Sequence, residues 1–177
     1  RRQRQMCIRD RFGDPWPDVS DEALLACAEE WLDLDALAAG RGSDAASGLR
    51  GLLGWQESAR LDEVAPETIT VPSGSRIRVD YPEPGSDTSP VLAVKLQECF
   101  GWTDGPTVCD GRVRVVLHLL SPARRPLAVT DDLASFWASV YPAVRVENRG
   151  RYSKHPWPED PMTATPTKRT NRALRGN

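Results

Sequence analysis

The sequence predicts an α+β fold: N-terminal helices, a β-hairpin and further strands in a small sheet, and a packed C-terminal helix. Three observations predict it. Apolar residues recur at helical spacing ahead of Pro66, alternate at period two just after it, and return to helical spacing over 133–141 behind an acidic cap. The chain has 177 residues, of which 40% are hydrophobic and 27% charged, enough for one soluble domain with its own core and polar tails.

Residues 1–11, RRQRQMCIRDR, show neither an apolar period nor turn chemistry and resemble translated adapter sequence. They are expected to be a non-native or disordered leader, with the biological chain starting near Phe12. Residues 12–65 form the helical segment. Ser20 is placed to cap a helix whose first turn holds Asp21 and Glu22, and Leu24, Leu25, Ala28, Trp31 and Leu32 give it one apolar face. A small-residue loop over 40–48 stops it. Leu49, Leu52, Leu53, Leu61 and Val64 suggest a second helical region, weakened by Gly51 and Gly54.

Residues 66–161 make up the α+β region. Ile69 and Val71, then Ile77, Val79 and Tyr81, alternate with polar neighbours around the turn residues Pro72, Ser73 and Gly74, which reads as a hairpin. After a Pro/Gly/Ser loop over 81–89, Ser89 and Pro90 suit a helix start, with Leu92, Leu96, Cys99 and Phe100 on one face and Gly101 as terminator. A strand over 91–96 is the alternative. Residues 112–120 read as a strand covered on both faces, followed by the turn Ser121-Pro122 and a short strand over 127–129. Thr130 is expected to cap a helix carrying Leu133, Phe136, Trp137, Val140 and Tyr141, which Pro142 should break. Residues 162–177 are expected to be a disordered basic tail.

Charge is unevenly placed. From Val144 to Asn177 eight basic residues stand against three acidic ones, a net +5, which leaves −7 for the rest of a chain of formal net charge −2. Within this stretch residues 149–161 interleave cations with aromatics and prolines. Arg149, Arg151 and Lys154 could neutralise phosphates, while Tyr152 and Trp157 could stack on unpaired bases. The competing reading is a rigid strap whose Trp157 plugs the core. Arg124 and Arg125, in the turn after the 112–120 strand, are a second candidate phosphate contact or an ordinary surface loop.

Catalytic chemistry is missing. No Gly-Lys dipeptide is present to close a phosphate-cradling loop, and Asp21-Glu22-Ala23-Leu24 opens a helix instead of ending a buried strand. The two histidines, His118 and His155, stand apart, and His118 lies between Leu117 and Leu119 as a structural histidine would. The four cysteines, Cys7, Cys27, Cys99 and Cys109, form no Cys-x-x-Cys pair, which argues against zinc and for free thiols in the cytoplasm. No run approaches the ~18 apolar residues of a membrane span.

Several stretches carry a family likeness: TVPSGSRIRVDY at 70–81, PVLAVKLQECFG at 90–101, LHLLSPARRP at 117–126, DLASFW at 132–137 followed by Tyr141-Pro142, and RGRYSKHPWPEDP at 149–161. In this order they resemble the C-terminal domain of HrpB-type DEAH-box helicases, over about 18–169. Arg114 and Ser153 stand where that pattern has proline, and Ser153 loosens the rigid-strap reading. The resemblance implies a parent that couples ATP hydrolysis, with magnesium, to work on nucleic acid, RNA in particular. It carries over no catalytic residue, metal or cofactor. The expected partners are the helicase motor core of the same parent chain and single-stranded RNA, with no membrane. The expected function is a non-catalytic accessory domain touching nucleic acid or the motor. The alternative is a protein-recruiting module with an exposed apolar patch around Trp55 or Trp102, and a third reading is an independent enzyme.

Overall fold

The computed structural model describes residues 2–41, 44–83 and 85–175. Gly42 and Ser43 of the expected 40–48 loop, Pro84 of the 81–89 loop, and the extreme termini of the expected leader and tail lie outside the described residues. The chain divides into two compact units.

The first unit comprises Arg1–Pro66, Tyr81–Thr88 and Val108–Arg112. Its helices are α1 Arg2–Phe12, α2 Asp21–Ala26, α3 Ala28–Trp31, α4 Leu34–Ala38, α5 Ala45–Gly51 and α6 Trp55–Val64. Helix α1 occupies the stretch expected to lack order. Ile8 is fully buried, and Met6 packs with Val19 and Leu24 against Trp31, Leu49 and Leu52. Arg4 is buried too, because its guanidinium closes the end of α6: Nε donates to the Ala65 carbonyl at 2.5 Å, and the head group pairs with Asp62. A cation against the last carbonyls of a helix meets both orphan acceptors and the negative end of its dipole. Ser20 caps α2 as expected, accepting from the Ala23 N–H at 3.3 Å. The single helix expected over 20–32 is instead broken at Cys27, and Leu25 is exposed. Gly40, at φ +68°, ends α4, with the Arg41 N–H reaching back to the Ala36 carbonyl.

The second unit comprises Glu67–Asp80, Ser89–Thr107 and Val113–Asn177. Its centre is a mixed sheet of five strands: β1 Thr68–Thr70, β2 Arg76–Asp80, β3 Val91–Lys95, β6 Val116–Leu120 and β7 Pro126–Thr130, in the order β1-β2-β3-β6-β7. Two short strands, β4 Thr107–Val108 and β5 Val113–Arg114, lie outside it. The hairpin is present, pairing Ile69 with Ile77, and Gly74 at φ +83° turns it. Strand β3 replaces the helix expected over 90–101. It runs parallel to β6, pairing Leu92 with Leu117 and Lys95 with Leu120, and then tightens into a 3-10 turn at Leu96–Cys99. Leu92 and Val94 face the core while Val91, Ala93 and Lys95 are only partly buried, so burial alternates although the apolar residue types do not.

Beyond β7 the helical path is α7 Leu133–Ser135, a π-helical turn at Phe136–Val140, and α8 Tyr141–Arg149. Asp132, not Thr130, is the cap, accepting from the Ser135 N–H at 3.0 Å. Pro142 does not break the helix. The widened π turn, in which the Tyr141 N–H reaches the Phe136 carbonyl, brings Pro142 into the opening turn of α8, where a missing N–H costs little. Trp137 sits edge-on to Phe136 and Tyr141, with centroids 5.1 and 5.3 Å away, and Phe100 closes the group. The basic tail, expected to lack order, carries α9 Asn171–Arg175.

Candidate nucleic-acid interface

The chain leaves α8 as a strap over 150–161 that is tied down repeatedly. The Tyr152 N–H donates to the Asn148 carbonyl and the His155 N–H to the Tyr152 carbonyl, each at 2.9 Å. Tyr141, only 1% exposed, donates its hydroxyl to the Pro158 carbonyl at 2.7 Å, and burial pushes its phenol up to about 12. Arg145 Nε donates to the Trp157 carbonyl at 2.9 Å while its guanidinium pairs with Glu159 at 3.2 Å. At the end of the strap, Asp160 accepts from the Met162 N–H and the Thr163 hydroxyl, which hold its carboxyl below the usual range. The Gly101 N–H reaches the Pro161 carbonyl at 3.0 Å.

These ties sort the strap's charges. Both acids, Glu159 and Asp160, are committed to internal bonds. Arg149, Arg151 and Lys154 are exposed, and among the described residues no carboxylate forms an ion pair with any of them. The two aromatics differ. Trp157 is half-buried and spends its indole N–H on the Tyr152 carbonyl at 3.2 Å, so it staples the strap. Tyr152, also half-buried, carries the Arg151 guanidinium 6.0 Å above its ring.

Arg124 and Arg125 are exposed in the β6–β7 turn, which Ser121 organises. The Ser121 N–H donates to the Arg125 carbonyl and its hydroxyl accepts from the Arg125 N–H, with Arg124 at φ +62°. Because β3 and β6 are parallel and Lys95 pairs with Leu120, this turn springs from the same end of the sheet as Lys95. His155 of the strap stands near Lys95: burial first, and then the ammonium, lowers its pKa. The strap's last residue, Pro161, is held by the Gly101 N–H just past the 3-10 turn that follows β3, toward the end of the sheet from which the basic turn springs.

Sequence reasoning missed Lys95; it read Lys168, Arg169, Arg172 and Arg175 as part of a charge excess that hints at a nucleic-acid-facing tail, and missed what anchors them. The tail is anchored by the Thr167 N–H on the Gln97 carbonyl at 2.9 Å and by the Asn171 N–H on the Lys154 carbonyl at 2.8 Å. The signal available was Thr170 ahead of a short helix-forming run; its hydroxyl accepts from the Ala173 N–H.

Among the described residues no group of three or more His, Cys, Asp or Glu stands together as a metal would need, and no helix is long and apolar enough to cross a membrane. The sequence holds no Gly-Lys dipeptide of the kind that closes a phosphate-cradling loop. Trp55 is 86% exposed, whereas Trp102 is half-buried beneath Trp137, whose indole donates to its carbonyl at 2.7 Å. One exposed indole does not select a partner.

The family described as the C-terminal region of ATP-dependent helicases matches residues 28–161, most of the chain. This chain belongs to that family. The helicase C-terminal domain is 48% identical over 162 residues to the ATP-dependent RNA helicase HrpB of Escherichia coli (strain K12), which covers 89% of this chain and 20% of the relative. It is similar to the crystal structure of the E. coli DExH-box NTPase HrpB, with a TM-score of 0.85 and 46% identity over 96% of this chain and 21% of that one. A second crystal structure, of the E. coli DEAH/RHA helicase HrpB, aligns with a TM-score of 0.68 and 43% identity over 88% of this chain and 20% of that one. The domain thus spans about a fifth of the length of the relatives it matches.

Proposed function

We propose that this helicase C-terminal domain holds single-stranded RNA for a motor carried elsewhere in its parent chain, and makes or breaks no bonds itself. The observation that carries the reading is the sorting of charge on the strap. Glu159 is paired with Arg145 and Asp160 accepts from Met162 and Thr163, whereas Arg149, Arg151 and Lys154 are exposed with no carboxylate partner among the described residues. Unpaired cations held on a braced backbone neutralise phosphates without first breaking ion pairs of their own, and Tyr152 offers a ring on which a base can stack. Arg124 and Arg125, at the same end of the sheet, extend the track. ATP binding and hydrolysis, with magnesium, belong in this reading to the motor core, the domain's partner within the parent. Free thiols accord with a cytoplasmic location.

The test is fluorescence anisotropy of a labelled oligouridylate across a salt series. Arg149→Ala with Arg151→Ala should weaken binding and flatten the log–log salt slope by about 1.4, since each phosphate contact on a single strand contributes about 0.7. A double variant that binds as tightly as the parent domain overturns the reading. Polyglutamate of equal charge that displaces the RNA as well as unlabelled oligouridylate does also overturns it, and points to an acidic protein surface instead.

A further inference from the structure

We infer that the basic segment 168–175 is the second wall of the same phosphate-binding surface, and that Asn171 is the clasp that positions it against the strap. The inference rests on the strap reading above and deepens it.

Two anchors bracket the start of this segment. At Thr167, which is buried, the backbone N–H donates to the Gln97 carbonyl at 2.9 Å, and the hydroxyl accepts from the Arg169 N–H at 2.9 Å. At Asn171 the backbone N–H donates to the Lys154 carbonyl at 2.8 Å and the side-chain amide to the Ser153 carbonyl at 3.4 Å. Both acceptors of the second anchor lie in the strap, beside the exposed Lys154 and Arg151. Lys168 and Arg169 are held between the anchors, and Arg172 and Arg175 ride on α9; all four are exposed. No Asp or Glu occurs from Pro161 to the end of the chain, so nothing local neutralises them.

The first anchor places this wall at a known end of the fold. Gln97 lies two residues past Lys95, the last residue of β3, and the 121–125 turn leaves the same end of the sheet. Cations from three separate stretches of chain thus converge on one end of the sheet. A mobile basic tail would be drawn to any polyanion and would lose its freedom on binding. A clasped one presents its charges at a fixed spacing beside the strap, and so favours a backbone that threads between the two walls.

The experiment uses the whole chain and the same labelled oligouridylate. Asn171→Pro removes the backbone donor and the side-chain amide, keeps every cation, and suits the first position of a helix. It should weaken binding several-fold and flatten the salt slope nearly as much as Arg169→Ala with Arg172→Ala, for which the expected reduction is about 1.4. Asn171→Ala, which spares the backbone bond, should fall between. Hydrogen exchange gives a readout independent of binding and of variant folding: the Asn171 amide should be protected in the unliganded domain. Unprotected exchange at Asn171, or tail variants that bind like the parent domain while Arg149→Ala with Arg151→Ala is weakened, overturns the clasp and leaves the strap reading standing. A weakened arginine pair beside an unaffected Asn171→Pro also overturns it. Failure of the unaltered domain to bind RNA at all would remove the strap reading and this one with it.

Discussion

Tyr141→Phe isolates one of the bonds that hold the strap. The substitution keeps the ring and its edge-on packing against Trp137, and deletes a single hydroxyl whose bond to the Pro158 carbonyl is 2.7 Å long. Tyr141 is 1% exposed, but the Pro158 residue that accepts is half-buried, so water can take over part of the lost bond. Deleting one partner of a buried pair costs about 1–3 kcal/mol; the Pro158 side of this one is half-buried, so the loss should lie near the lower end and lower the melting temperature of a chain this long by about 2–4 °C. Arg145→Ala cuts a neighbouring tie, to the Trp157 carbonyl and Glu159. Both side chains brace the same few residues, so the double variant should lose less than the two single losses combined. Melting followed by tryptophan fluorescence, with a double-mutant cycle in urea, measures both quantities. Alkali gives a second check. Burial raises the Tyr141 phenol from 10 to about 12, so its contribution is complete below pH 10 and disappears as pH rises through about 12. The phenylalanine variant should lack that part of the alkaline loss. A melting temperature equal to the parent's, or additive losses in the cycle, would refute the claim that Tyr141 braces the strap.

Two further outcomes are expected. Gly101 sits at φ +75°, and an added Cβ would stand 3.3 Å from the Met162 carbonyl oxygen; Gly101→Ala should therefore cost at least about 1 kcal/mol in urea denaturation, and an unchanged midpoint would contradict the tight approach of chain there. Brief alkylation of the native protein followed by peptide mass mapping should label Cys27, which is half-buried, well ahead of Cys99, which is fully buried and has its thiol pushed up by desolvation. Equal labelling of the two would contradict that burial.

What could be read from the chain depended on whether local chemistry alone fixed the element. The 68–80 hairpin was legible because Gly74 supplies the turn and one face of the ribbon is polar. Strand β3 was not, because Leu92 and Leu96 also stand four residues apart, and Val91 and Ala93 put apolar residues on the partly exposed face as well as on the buried one that holds Leu92 and Val94. Pro142 signals a helix end in any sequence; only the π turn ahead of it lets the helix continue. Helix α1 was hidden by its own arginines, since the burial of Arg4 depends on carbonyls some sixty positions along the chain. The cations of the site were visible as composition. Their availability was not, because it follows from where Glu159 and Asp160 spend their oxygens. Asn171 was missed for a similar reason: what it does is set by the Ser153 and Lys154 carbonyls it meets.

The parallel ladder between β3 and β6 has a consequence for how the sheet is built. The pairs β1–β2 and β6–β7 join segments separated by short turns and can zip as soon as those turns form. The β3–β6 seam must wait for the whole span between Lys95 and Val116 to be drawn closed, so it carries the largest single loop-closure cost in the sheet. The strap's end of the sheet depends on that late seam. A chain stalled before it closes would hold two finished ribbons and no shared platform, and its cations would be scattered where the native fold gathers them.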